Sequence, residues 1–118
     1  MNSNELRIGN WYINGNDEPE QATELFRQYV KGMEFVLPWP SVEGVPLTEE
    51  WLVRFGFSVN GVKEWYLKSY EFAWLPGSGD WYYMCEGAFA SSGMKYVHQL
   101  QNLYFDLSGE ELTIKESV

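Results

Sequence analysis

The chain has 118 residues, of which 45% are hydrophobic and 18% aromatic, and its formal net charge is −9. This length predicts a single domain over residues 1–118, and the hydrophobic content argues against a disordered chain. The 17 acidic and 8 basic residues are spread along the sequence without a basic patch, so direct binding to nucleic acid is not expected. A solvated acidic surface is the simplest interpretation, and an acidic surface that engages a basic partner is the alternative.

The first third of the chain carries both strand and helix signals. Residues 6–13 predict a strand, and the Asn14-Gly15 pair that follows is a strong signal for a tight turn. Residues 20–30 have apolar side chains at helical spacing and predict a helix, whereas a hairpin across the turn would make residues 21–26 a strand. The apolar residues of the helical stripe are Ala22, Leu25, Phe26, Tyr29 and Val30.

A compact helix is predicted over residues 48–55, after a proline-rich connector. Thr48 is the expected N-cap, and Glu49 and Glu50 occupy the first turn, where the helix dipole favours acidic side chains. Gly56 is the expected end of the helix.

From residue 57 the hydrophobic period changes to two, which predicts an antiparallel meander over residues 57–90. The Asn60-Gly61 pair and the glycine-rich loop at residues 76–80 are the expected turns between its strands.

The longest helical pattern predicts a helix over residues 94–108, capped by Ser91 or Ser92 and ended by Gly109. Its apolar stripe contains Val97, Leu100, Tyr104 and Leu107. Together the elements predict an α+β fold. We expect one antiparallel sheet, made of the meander and the N-terminal strand, packed by two or three helices, with the helix at 94–108 lying on the meander.

The sequence offers little for catalysis or metal binding. It contains one histidine, His98, and one cysteine, Cys85. We expect a structural role for the histidine on its helix and a core position for the cysteine. One His and one Cys match no zinc pattern, so neither a catalytic site, a metal nor a cofactor is predicted. An enzyme that uses either residue beside a carboxylate is the least favoured alternative.

The aromatic residues are the best candidates for a functional surface. Trp39 stands between two prolines, Trp65 precedes a tyrosine, and Trp81 borders the loop that ends at Asp80. These four residues are the predicted interaction surface, because exposed tryptophans are typical anchors of protein interfaces. For each tryptophan, packing in a core is nevertheless favoured over contact with a ligand.

Three sequence blocks resemble an uncharacterised family of small proteins from Bacteroidetes genomes and their phages and prophages. The blocks are ELRIGNW at 5–11, PLTEEWL at 46–52 with FGF at 55–57, and KYVHQLQNLYF at 95–105 with GEEL at 109–112. The segment at 18–45 departs most from the family, in which it is more strand-like. The resemblance implies a bacterial, often mobile-element setting and transfers no functional residues.

These observations favour a non-enzymatic accessory protein, of phage or prophage origin, that acts by binding a protein partner. One alternative is an acidic mimic that occupies a DNA-binding protein, and another is a small-ligand or carbohydrate-binding module that uses exposed Trp and Tyr. The sequence lacks a signal-peptide pattern and any apolar run of about 18–20 residues, so we expect a cytoplasmic protein without membrane contact.

Overall fold

The computed structural model describes residues 1, 4–26, 28–33, 35–60 and 64–115. Within these residues the backbone forms short β-strands, two α-helices and one 3-10 turn at Trp39–Ser41. The helices are α1 (Glu49–Arg54) and α2 (Val97–Ser108). The strands are β1 (Trp11–Ile13), β2 (Pro19–Gln21), β3 (Glu24–Leu25), β4 (Tyr29–Lys31), β5 (Val36–Pro38), β6 (Glu43–Gly44), β7 (Ser58–Asn60), β8 (Glu64–Leu67), β9 (Tyr70–Leu75), β10 (Asp80–Cys85) and β11 (Ala88–Phe89).

The chain divides into two compact units. Unit 1 contains residues 1–46 and 96–111, and unit 2 contains residues 47–95 and the segment from residue 112 onward. Each unit is therefore built from two separate stretches of chain, and each is described by itself below. The prediction of a single domain stays a prediction.

Unit 1 contains two small antiparallel sheets and α2. One sheet has the strand order β2-β1-β6 and the other β3-β4-β5. The central strand β1 also contacts α2. Its core is formed by apolar residues from β1, β4, the 3-10 turn and the segments between elements: Leu6, Tyr12, Ala22, Val30, Trp39 and Val42. Met1, Leu25 and Leu37 pack against this core.

The helix predicted at residues 20–30 is wrong, because β2, β3 and β4 occupy that segment. The Asn14-Gly15 turn decides the outcome by pairing β2 with β1, in the register Tyr12 with Glu20. Asn14 closes the loop, since its side-chain oxygen accepts bonds from the backbone N–H of Asn16 and Glu18, at 2.8 and 3.1 Å. Hairpin pairing with neighbouring strands overrides the helical spacing of the side chains.

Unit 2 confirms the predicted meander. Its five strands lie in the order β11-β10-β9-β8-β7, so each strand is hydrogen-bonded to its neighbour in sequence. Glu86 and Gly87 form the two-residue turn between β10 and β11, both with positive φ, at 52° and 80°. This matches the turn geometry that a twisted hairpin favours. The glycine of the predicted Asn60-Gly61 turn lies outside the described residues.

The two later helices are confirmed with shifted starts. Helix α1 begins at Glu49 after Thr48, although the threonine side chain makes no capping bond. Helix α2 begins at Val97, and Tyr96 rather than a serine is its N-cap. Met94 cannot join the helix because its backbone pairs with Trp81, with N–O distances of 2.8 and 2.9 Å.

The fold is thus mixed, with antiparallel sheets and few helices. The expected single sheet with two or three helices is corrected to three sheets and two helices in the described residues. The N-terminal strand and α2 belong to unit 1, whereas the meander belongs to unit 2. No helix in the described part of the chain is long and apolar enough to cross a bilayer.

Candidate functional site

The three predicted surface tryptophans are buried. Trp39 and Trp65 are each 6% exposed and Trp81 is 4% exposed. The indole N–H of Trp39 donates to the carbonyl of Phe26 at 2.8 Å, and that of Trp81 donates to the carbonyl of Leu47 at 3.2 Å. The expectation that these side chains are exposed is therefore wrong, since a small core gains most by burying its largest rings.

Asp80, the fourth predicted surface residue, is also largely covered. Its carboxylate is 15% exposed and lies 2.8 Å from the ammonium group of Lys95. It also lies against the backbone of Gly93, where an added Cβ would be 2.9 Å from the aspartate Cβ. Asp80 is therefore held within unit 2 and offers little surface to a partner.

The strand register of unit 2 places a different set of side chains on the water-facing side of its sheet. Residues that are directly opposite each other on paired strands share a face. One row runs from Phe89 through Met84 and Glu71 to Tyr66, and a second joins Tyr82, Ala73 and Glu64. We call these residues the outer face: Glu64, Tyr66, Glu71, Ala73, Tyr82, Met84 and Phe89.

The opposite side of the same sheet is the buried one. It carries Trp65, Phe72 and Trp81, and the indole rings of Trp65 and Trp81 meet edge to face at 6.5 Å. Phe72 is fully buried, and its ring lies 5.5 Å from that of Phe57. The outer face is the more exposed side, since Glu64 and Phe89 are exposed and its other five residues are partly exposed.

Aromatic rings and carboxylates are interleaved on the outer face. Phe89 is 55% exposed, and its ring stacks on that of Tyr82 at 4.8 Å. The hydroxyl of Tyr66 donates to Glu64 at 3.2 Å. Partial burial, a hydrogen bond with Glu71 and the charges of both glutamates raise the pKa of Tyr66. The tyrosine thus stays protonated and holds the carboxylates in place.

Unit 1 contains a second candidate, a cavity of about 480 Å³ beside the start of α2. Its wall is formed by the N-terminal segment, strand β6 with its flanks, and the first turn of α2. The residues that line it are Met1, Glu5, Val42, Glu43, Gly44, Pro46, Tyr96 and His98. Glu5 and His98 also line a neighbouring cavity of about 320 Å³.

His98 is the buried polar group of this cavity. It is 2% exposed, and its Nδ1 has no hydrogen-bond partner among the described residues. Burial lowers the pKa of His98, and the nearby charge of Glu5 opposes that shift in part. The imidazole is therefore neutral near pH 7, with a nitrogen that no protein group in the described chain satisfies.

The backbone of β6 fixes the position of the imidazole. The rings of Tyr96 and His98 stack at 5.7 Å with an interplanar angle of 11°. Gly44 lies beneath them, and a Cβ at this position would be 2.7 Å from the Tyr96 ring and 3.0 Å from the His98 ring. Only glycine allows the two rings to approach the strand so closely.

The two residues considered for catalysis lie in different environments. Cys85 is exposed, at the end of β10, so the expected core position is wrong. Its strand ends there, at the hairpin turn formed by Glu86 and Gly87. His98 is buried in unit 1. Within the described residues, no three His, Cys, Asp or Glu side chains are placed to hold a metal ion.

Comparison of the chain with protein-family models, with curated proteins and with solved structures gives no match. The resemblance to the Bacteroidetes and phage family therefore stays a prediction.

Sequence reasoning missed both candidates for identifiable reasons. The alternation of Glu71 and Ala73 with Phe72 and Trp74 was a signal for two distinct faces of the sheet. The prediction was based on tryptophan content instead, and it therefore selected Trp65 and Trp81, which lie on the buried face. The cavity gave no signal, since its lining combines Met1 and Glu5 with residues from 42–46 and 96–98, which only folding brings together.

Proposed function

We propose that this chain is a non-enzymatic accessory protein that binds a basic segment of a protein partner through the outer face of unit 2. A phage or prophage origin and action in a bacterial cytoplasm are part of the same proposal. The observation that carries it is the open sheet face on which Tyr82 and Phe89 alternate with Glu64 and Glu71.

Charge complementarity selects the occupant. Two carboxylates stand among one exposed ring, Phe89, and two partly exposed tyrosine rings. The chain carries a net charge of −9, so a Lys- or Arg-rich segment would meet favourable potential together with an apolar contact. Aromatic side chains near the centre of a patch are the usual anchors of such contacts.

The other two candidate functions have weaker support. A mimic of DNA needs an array of carboxylates, whereas the outer face separates its acids by aromatic and apolar side chains. A carbohydrate platform needs exposed rings that present a flat surface, but Tyr82 and Phe89 stack on each other. Both remain predictions without a specific observation in their favour.

Quantitative capture from a bacterial lysate tests the proposal. The Tyr82→Ser/Phe89→Ser variant should lose a protein that the wild-type chain captures, with an affinity loss of more than about tenfold for two aromatic anchors. The matched control Met33→Ser/Val36→Ser changes two exposed apolar residues of unit 1 and should retain it.

A salt series completes the experiment. Capture of a basic partner should weaken as ionic strength rises, because the exposed carboxylates are screened. Identical captured proteins for the wild type, the face variant and the control would contradict the proposal, and so would the absence of any specific capture.

A further inference from the structure

Strand β11 lies at an open edge of the five-stranded sheet in unit 2. It pairs with β10 on one side, and no other strand of the described residues pairs with its other side. We propose that this edge binds a second copy of the chain, strand against strand, so that the sheets of two copies join in a symmetric dimer. The inference goes beyond the proposed function, because it requires no partner protein of another kind.

The hydrogen-bond pattern of the hairpin directs the backbone of Phe89 to the open edge. In an antiparallel ladder, opposite residues alternate between a pair that exchanges hydrogen bonds and a pair whose N–H and C=O groups point outward. The N–H of Ala90 donates to the carbonyl of Tyr83 at 2.8 Å, so the neighbouring pair of Phe89 with Met84 is of the outward kind. Phe89 thus offers one donor and one acceptor to an added strand.

The edge lacks the charges and prolines that commonly keep the edges of sheets apart. Residues 87–93 have the sequence GAFASSG, and residues 85–90 are all exposed. Like charges that lie directly opposite each other destabilise a pair of strands. In a chain with a net charge of −9, this segment therefore lets two copies meet without opposed carboxylates.

A register centred on Phe89 is complementary to itself. A two-fold axis at this residue places each position opposite the one at equal distance on the other copy. Phe89 then faces its own copy, Ala88 faces Ala90, and Glu86 faces Ser92 rather than another acid. The two Phe89 rings, each 55% exposed in the single chain, form a cross-strand aromatic pair.

This ring pair favours a second copy over a strand from a different protein. Any strand could accept the backbone bonds of the edge, but the pairing of one Phe89 with another occurs only in self-association. Opposite residues share a face of the sheet, so the join also places the outer faces of the two copies side by side.

Amide hydrogen exchange of the unmodified chain tests the edge directly. The Phe89 N–H faces solvent in the single chain, so its exchange should slow by about tenfold or more as the protein concentration rises into the millimolar range. The Ala90 N–H, which is bonded to Tyr83 within each copy, should be slow at every concentration. Sedimentation equilibrium of the same samples should show the molar mass rise from one chain to two. An unchanged Phe89 exchange rate, or a monomer at every concentration, overturns the proposal.

Two variants that differ in the sign of one charge test the register. Ala88→Lys/Ala90→Lys places like charges opposite each other twice and should raise the dissociation constant of the dimer by about tenfold or more. Ala88→Lys/Ala90→Glu places opposite charges at the same points and should dimerise at least as tightly as the wild type. Both positions are exposed and lie on the side of the sheet away from Phe89, so the outer face is left unchanged.

The matched control adds the same two charges at the other edge of the same sheet. Ser58→Lys/Val59→Lys changes exposed positions of β7 and should leave the dissociation constant as in the wild type. Equal constants for the two variants of β11, or loss of the dimer in the β7 control, contradict the proposal. These measurements use the purified chain alone, so their failure is distinguishable from a failure to capture a basic partner.

Discussion

Unit 1 and unit 2 are stabilised by different chemistry. Unit 1 buries directed polar contacts: Gln101, 1% exposed, accepts from the backbone N–H of Trp11 at 2.9 Å and donates to the carbonyl of Gly9 at 3.1 Å. Unit 2 instead packs rings against rings, as between Phe57 and Phe72. A hydrogen bond requires its donor and acceptor in one geometry, so it holds the backbone at the point of contact. Ring packing depends on the total contact area instead.

The difference matches the two kinds of candidate site. In unit 1 the side chain of Arg7 donates to Asn102 at 2.8 Å, forms an ion pair with Glu111 and lies over the ring of Phe105 at 4.5 Å. Such contacts hold the N-terminal segment on α2, next to the cavity. In unit 2 the aromatic interior supports a regular sheet whose other side is free to form a surface. In unit 1 the polar contacts thus hold the segments beside the cavity, and in unit 2 the aromatic core supports the sheet that presents the outer face.

The largest expected effect tests the aromatic side of this comparison. Phe72→Ala removes a fully buried ring and should lower the free energy of unfolding by ~3–5 kcal/mol, through lost burial and the cavity left behind. Urea unfolding followed by tryptophan fluorescence measures the change. Phe89→Ala, at a 55% exposed position on the same sheet, should cost far less, and equal losses would contradict the assignment of the two faces.

A smaller effect is expected from the polar side. Gln101→Leu keeps a similar volume but leaves the N–H of Trp11 without its acceptor, so it should cost ~2 kcal/mol. Urea unfolding measures the change, with Gln28→Leu at an exposed position of unit 1 as the control. An unchanged stability would show that the glutamine contacts do not hold the strand.

The smallest effect concerns a buried hydroxyl and its pH dependence. Tyr12 donates to Glu20 at 3.1 Å, so Tyr12→Phe should cost ~1–2 kcal/mol at pH 7. Burial, the hydrogen bond and the charge of Glu20 raise the pKa of Tyr12 above its ordinary value of 10.0. The unfolded chain therefore loses this proton first, and the stabilisation is complete below pH ~10 and lost as the pH rises above it.

Unfolding in urea at pH 7 and at several values above 10 checks this sign. The difference between the wild type and Tyr12→Phe should shrink as the pH rises through that window. Tyr29→Phe, at a more exposed position where the ring is kept, is the matched control and should behave as the wild type at every pH. A constant difference for Tyr12→Phe would argue against the hydrogen bond.

Local sequence signals predicted most elements of unit 2 and few of unit 1. The meander follows from alternating side chains and short turns, and α1 follows from Glu49 and Glu50 in its first turn. The helical spacing at residues 20–30 was misleading, because the pairing of β1 with β2 competes with it and wins. The candidate surface at Trp39, Trp65 and Trp81 failed for a similar reason, since composition does not indicate which rings the core can hold.

The sequence by itself determined the antiparallel meander and the two confirmed helices, because these depend on periodicity and turns within short windows. Tertiary structure alone decided which face of the sheet is open, and it alone placed the His98 imidazole beside Gly44 and Glu5. Those outcomes depend on contacts between segments that are distant in sequence, and no local pattern records such contacts. The physical reason is competition for burial and for hydrogen-bond partners, which is settled only when the whole chain folds.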